Sequence, residues 1–281
     1  MPINEPTPEL PPDFPARKPL QNTPVRSVTV VGCGNVASWL VFALKKAKIP
    51  VSQIYGRNPD RCRKLAETCG AKAVCQWEDL QSTSDLYIFS VKDDAYEEMI
   101  PQFPFRMPLA VLTAGTLSQN LLAPAADRYG VLYPCQTLTT GMDFSNLQVP
   151  LCVEGNDEQT TGILARFASQ LSDNVHFLNE EQRRHLHLAA VFASNFSNAM
   201  YIASADLLGR ANIDFSVLQP LIQNTLDKLK RFTPKESQTG PAARRDDSVM
   251  SRHLQMLPEN DLREIYQIVS QYIMNQTNKE S

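Results

Sequence analysis

The segment Val28-Thr29-Val30-Val31-Gly32-Cys33-Gly34-Asn35-Val36-Ala37 constrains the chain most, because it sets a β-branched run directly against a glycine turn and a helical repeat. Residues 27–31 suit a short strand. From residue 36 to 47, Trp39, Leu40, Ala43 and Leu44 recur at helical spacing. Strand, GxGxxA turn and helix in that order form a dinucleotide-binding βα unit. The first glycine permits the tight turn, the second lets the backbone approach a diphosphate, and Ala37 lets helix and strand pack closely. Amides left free at the helix start can bind phosphate. Gly32, Cys33, Gly34, Asn35 and Val36 are therefore the first candidate cofactor contacts.

The alternation continues. Strands are expected at 50–55, 71–74, 86–91, 109–113, 131–133 and 151–154, with 175–178 as a last edge strand and helices at 60–69 and 158–171. Such a series predicts an α/β fold, a doubly wound Rossmann sheet with parallel strands buried on both faces. From Glu180 the strand signal stops. A long helix is expected to Leu208, with Gly209 as its left-handed closing residue, followed by helices at 215–231, 246–257 and 259–275 and a loop at 234–245. The expected division is a proline-rich tail at 1–25, a dinucleotide-binding domain at 26–178 and an all-helical domain at 179–281.

Composition narrows the partners. The 281 residues are 43% hydrophobic with a net charge of −3, and no basic cluster gathers to meet a nucleic-acid backbone. No stretch is apolar enough to span a membrane. The tail holds eight of the 20 prolines and the acids Glu5, Glu9 and Asp13, which fits neither a secretory nor a transit segment. Six cysteines lie scattered without CxxC pairs, so no metal site is expected, and reduced thiols in a cytoplasmic protein are the economical reading.

After the second expected strand stands Tyr55-Gly56-Arg57-Asn58-Pro59-Asp60-Arg61, where an NAD(H) site usually places a carboxylate. Arg57 and Arg61, with Asn58 between them, could instead clamp a 2′-phosphate, which favours NADP(H) over NAD(H). Asp60 falls at a helix start, where an acid assists the helix dipole. The competing reading makes both arginines solvated surface charges.

The runs Asp85-Leu86-Tyr87-Ile88-Phe89-Ser90-Val91-Lys92-Asp93 and Thr113-Ala114-Gly115-Thr116 resemble the fourth and fifth strand ends of the β-hydroxyacid dehydrogenase, pyrroline-carboxylate reductase and ketopantoate reductase superfamily. Residues 131–137, 187–196 and 238–242 resemble one family in particular. It joins a Rossmann domain, similar to deazaflavin-dependent NADP oxidoreductases, to a helical domain of unknown function (number 2520). The resemblance implies a homodimer through the helices and places Ser90, Val91, Lys92, Ala114 and Gly115 beside the nicotinamide ribose. Lys92 could equally be a surface lysine.

On the long expected helix, His187, Ala190, Val191, Ser194, Asn195, Asn198 and Tyr201 share one α-helical face. Buried polar groups need partners, so this stripe should face a ligand or a polar network. Related enzymes use a lysine one turn before an asparagine, but Val191 stands one turn before Asn195. His187 is then the candidate proton donor, since an imidazole ordinarily titrates near pH ~6.5. Asn195 and Asn198 are the residues expected to orient a small-molecule substrate, with Gln136, Ser194, Tyr201 and Arg244 as further contacts. The function these features predict is NADP(H)-dependent reduction of a small keto, hydroxy or imino acid. The alternative is a catalytically silent NADP(H)-binding sensor or scaffold.

Overall fold

The computed structural model describes residues 24–277, so most of the expected tail lies outside the described residues. Two compact units divide at Ser194 and Asn195.

In the first unit the β-branched run forms β1 (Val28–Val31), and all four side chains are buried. It is followed by α1 (Asn35–Lys46), β2 (Val51–Tyr55), α2 (Pro59–Cys69), β3 (Lys72–Val74), β4 (Leu86–Phe89), the short α3 (Tyr96–Met99), β5 (Ala110–Leu112), β6 (Tyr129–Pro134), β7 (Leu151–Gly155), α4 (Glu158–Ala168) and β8 (Val175–Phe177). The eight strands run in the order β3-β2-β1-β4-β5-β6-β7-β8. This is the expected doubly wound sheet, reversing between β1 and β4, where such sheets open a crevice at the strand carboxyl ends.

One pairing departs from the all-parallel expectation. β6 and β7 are antiparallel, with Tyr133 opposite Cys152. The connection through residues 135–150 contains no helix to carry the chain back across the sheet, so β7 returns beside β6.

Alternate side chains enter opposite apolar layers. Val28, Val30, Ile54 and Val111 pack with Trp39, Leu40 and Leu44 of α1 and with Ile163, Leu164 and Phe167 of α4. Val31, Tyr87, Phe89 and Leu112 pack on the other face with Tyr96, Phe103 and Phe105. There Phe103 lies 5.0 Å from Phe105 and 5.5 Å from Phe89, centroid to centroid. The β4–β5 crossover on this face is a chain of short helical turns between 93 and 102 rather than one helix. Pro101, Pro104 and Pro108 remove the amides that a longer helix would need.

Burial also sets thiol chemistry. It pushes the Cys62 and Cys152 thiols up to about 11, which leaves almost no thiolate near neutral pH. Both should resist iodoacetamide in the folded protein and react on unfolding, as peptide mass spectrometry would show. Rapid labelling of either under native conditions would contradict this packing.

The expected long helix is helical from Glu180 to Arg210 but is not one α-helix. α5 (Glu180–Ala190) leads into a π turn at Val191–Phe196 and then α6 (Ser197–Arg210). An i→i+5 turn takes more residues than an α turn, so the α-helical stripe expected from His187 to Tyr201 is broken in phase there. Gly209 is not the closing residue. The helix runs past it, and Asn212 takes the left-handed conformation at φ 54°, which asparagine tolerates better than most residues.

The second unit continues with α7 (Gln219–Lys228), α8 (Pro241–Arg244), α9 (Asp247–Met256) and α10 (Asp261–Thr277). α8 is a single turn inside the segment expected to be loop, started by Pro241, whose fixed φ suits a first helical position. A 3-10 turn at Phe215–Leu218 opens the next expected helix. Among the described residues no helix is long and apolar enough to cross a membrane.

Candidate functional site

The carboxyl ends of β1, β2, β4 and β5 border a cavity of about 570 Å³. Gly32, Cys33, Gly34, Asn35 and Val36 line it together with Arg57, Asn58, Arg61, Ser90, Val91, Lys92, Ala114, Gly115, Gln136 and His187. Tyr55, Met99, Thr113 and Tyr133 complete much of the wall, and sequence reasoning had assigned no role to these four.

Two backbone features shape the glycine end. Gly32 has φ 126°, and a Cβ there would lie 2.0 Å from the carbonyl oxygen of Ser90. β1 and β4 therefore converge at a point only glycine fits. The helix behind the turn is also uncapped. Side chains of Asn58, Asp157, Asn179 and Asp246 cap α2, α4, α5 and α9, whereas Gly34 at the N-cap of α1 supplies no side chain and the first turn contains no acid. The amides opening a 12-residue helix thus face the cavity edge with no side-chain cap, which suits an anion.

Some candidate side chains are partly engaged. Asn35 Oδ1 accepts from the amide and the hydroxyl of Thr140, at 3.1 and 2.8 Å. Asn58 Oδ1 accepts from the Arg61 amide at 3.0 Å. Gln136 donates to the Gln148 carbonyl at 3.1 Å, and the Ser194 hydroxyl lies 2.7 Å from that of Thr137. Asp60 opens α2 and pairs with Arg63 at 3.5 Å, leaving Arg57 and Arg61 without a carboxylate partner among the described residues.

At the far end, His187 lies over Gly115. A Cβ at Gly115 would fall 2.6 Å from His187 Nδ1, so the absence of a side chain is what lets the imidazole approach the β5 loop. His187 Nδ1 is 3.1 Å from the hydroxyl of Tyr133, with the rings edge to face at 5.9 Å. Burial and the adjacent Cys135 raise the phenol well above its ordinary range, so it stays protonated. Whichever partner donates in this contact, Nε2 is the ring nitrogen that it leaves free.

One turn earlier, Arg183 is 1% exposed. Its guanidinium donates to the carbonyls of Ala114 (3.2 Å) and Gly115 (3.0 Å) and pairs with Glu154 at 3.3 Å. The β5 loop, β7 and α5 are tied together through this side chain. Arg184, its neighbour, donates to the Thr116 carbonyl at 2.9 Å, and the Thr116 hydroxyl donates to Asp93 at 2.5 Å. Replacing Gly115 with Ala should displace the imidazole, and loss of the Tyr133 hydrogen bond should appear in the ¹⁵N shifts of His187. Unchanged shifts in a folded variant would contradict the packing.

Asn195, Asn198, Tyr201 and Arg244 belong to the second unit. Asn195, Asn198 and Arg244 are exposed and Tyr201 is half-buried, so the two asparagines are not the buried polar groups that a buried stripe would require. Among the described residues no cluster of His, Cys, Asp and Glu could hold a metal ion.

Residues 27–111 match the family described as NADP oxidoreductase, coenzyme F420-dependent, and residues 149–273 match the domain of unknown function DUF2520. A candidate NADP oxidoreductase of Bacteroides fragilis is 34% identical over 89% of this chain and 98% of its own, with a TM-score of 0.84. A 1-pyrroline-5-carboxylate reductase from Streptococcus pyogenes (15% identity, 90% and 98% coverage, TM-score 0.61) and an imine reductase from Myxococcus stipitatus (16%, 90% and 95%, 0.61) share the fold. No curated protein matches the chain. With that identity across nearly its whole length, the chain belongs to the NADP oxidoreductase family in which the F420-dependent type of domain is joined to DUF2520.

Proposed function

We propose that the protein is an NADP(H)-dependent oxidoreductase that reduces a small keto or imino acid, or in the reverse direction oxidises the matching hydroxy acid. The observation that carries this reading is the composition of one cavity wall: an uncapped helix start and unpaired arginines at one end, and His187 over the β5 loop at the other. The Myxococcus stipitatus imine reductase, which shares the fold, was solved in complex with NADP+.

In this reading the Gly32 to Val36 turn holds the diphosphate, and Arg57 and Arg61 meet the 2′-phosphate, where a carboxylate would repel it. Ser90, Val91, Lys92, Ala114 and Gly115 border the nicotinamide ribose. When bound, NADPH supplies a hydride to the substrate carbon. The heteroatom left with negative charge needs a proton, which a His187 imidazolium would supply from Nε2 while its Nδ1–H donates to the Tyr133 hydroxyl, leaving a neutral ring. Arg183 keeps the loop beneath the imidazole from moving.

A homodimer is part of the proposal. α6, α7 and α10 bury none of their residues, and Val217, Leu221, Ile268 and Tyr272 are each more than 60% exposed. Large apolar side chains left exposed on several helices are what an obligate interface would cover. Light scattering should give twice the chain mass, and a stable monomer at micromolar concentration would remove this element.

The function is tested by NADPH oxidation over a panel of keto and cyclic imino acids. Turnover of at least one compound is expected, with His187→Ala lowering kcat by about 100-fold. Tight NADPH binding with no turnover across the panel would favour a cofactor-binding protein without catalysis.

A further inference from the structure

A second cavity in the first unit adjoins the glycine turn, and Cys33, Gly34, Asn35 and Arg61 line both cavities. It is a groove of about 510 Å³ between α1 and α2, closed on one side by Thr140 and Phe144, a volume within the ~300–1,000 Å³ usual for small-molecule sites. Its floor is apolar: Val41 and Phe144 are buried, Phe42 lies 5.7 Å from Phe144 by ring centroid, and Leu65 packs against the same core. Lys45, Arg61 and Lys64 line the edge, and no carboxylate lines the groove.

Other cations of this unit are paired across or along its elements. Arg63, Arg106, Arg128, Arg183 and Arg184 each have a carboxylate within 4.0 Å. Among the described residues none of the three groove cations does. Lys45 donates to a neutral carbonyl, that of Thr68, at 2.8 Å, which holds α1 against the last turn of α2 and leaves the charge uncompensated. Three like charges around an apolar floor repel one another, and an anion with an apolar body relieves that repulsion while covering the floor.

We propose that this groove is a second ligand site, for an amphipathic carboxylate of medium-chain fatty acid type. The acyl chain packs on Phe42, Leu65 and Phe144, and the head group lies between Lys64 and Arg61. Arg61 also lines the larger cavity. One guanidinium thus serves both sites, so binding at one must weaken binding at the other. This coupling rests on the proposed 2′-phosphate role of Arg61, whereas the groove itself does not.

The test is calorimetric titration of the full chain with decanoate. Saturable binding is expected, weakened about fivefold or more by Lys64→Glu and preserved by Lys64→Arg. Lys64 is an exposed helix residue, so both variants should fold. Decanoate should bind several-fold more weakly to the NADPH complex than to the NADH complex. No saturable binding, or equal affinity in wild type and Lys64→Glu, would overturn the site, and equal affinity in the two complexes would overturn the coupling. A protein that binds decanoate through Lys64 but neither pyridine nucleotide would retain the groove and lose the proposed function. NADPH binding without decanoate binding would do the reverse.

Discussion

Replacing Arg183 with Ala is expected to cost the first unit about 3 kcal/mol, the scale for breaking one partner out of a buried ion pair. The side chain is 1% exposed and Glu154 only 16%, so the carboxylate left behind recovers just part of its hydration. The carbonyls of Ala114 and Gly115 lose their donor as well. With domain stabilities of about 5–15 kcal/mol, the variant should remain folded but melt markedly earlier. A urea titration measures the shift in midpoint. The double variant Arg183→Ala with Glu154→Gln should regain part of the loss, because it removes the stranded charge. A single variant within 1 kcal/mol of wild type would show that Arg183 does not hold the β5 loop.

Gly32→Ala should have an effect of similar size through a different cause. At φ 126° a side chain is strained whatever the space, and here the new Cβ would meet backbone, the Ser90 carbonyl at 2.0 Å. A flexible side chain could swing aside, but the end of β4 cannot move without disturbing its ladder to β1, where Val31 faces Phe89. The strand ends must part. We expect a loss of about 3 kcal/mol or more in stability and no measurable pyridine-nucleotide binding. Gly34→Ala is the matched control for stability, since a Cβ there meets nothing within 4 Å. Equal stability of the two variants would contradict the close approach.

What the sequence could reveal of this fold followed its local repeats. Val28 to Val31 and Leu86 to Phe89 are apolar at consecutive positions because both sheet faces are covered, and that pattern is visible without coordinates. The glycines were legible because their spacing is tied to a turn. The antiparallel return of β7 was not, since a strand buried on both faces has the same composition in either direction. Nor was the π turn at Val191–Phe196, whose residues fit an α-helix equally well.

The site divided along the same line. His187 was found from its place near Asn195 on a helix, but its contacts are to Tyr133 and Gly115, which are remote in sequence. Arg183 passed as one charge in a polar helix start of the sequence Glu-Glu-Gln-Arg-Arg-His. Only the fold shows that Arg183 is buried while Arg184 is exposed. One signal could have marked it: on α5, Arg183 and His187 are four residues apart and so share a face.

The central claim is that the uncapped start of α1 holds a diphosphate while Arg57 and Arg61 receive a 2′-phosphate. Calorimetric titration with NADPH and NADH, on wild type and on Arg57→Asp, tests it most directly. The account predicts that wild type prefers NADPH by about tenfold or more and that Arg57→Asp removes most of that preference. Absence of heat with either nucleotide, or an NADPH affinity unchanged by the substitution, would contradict it.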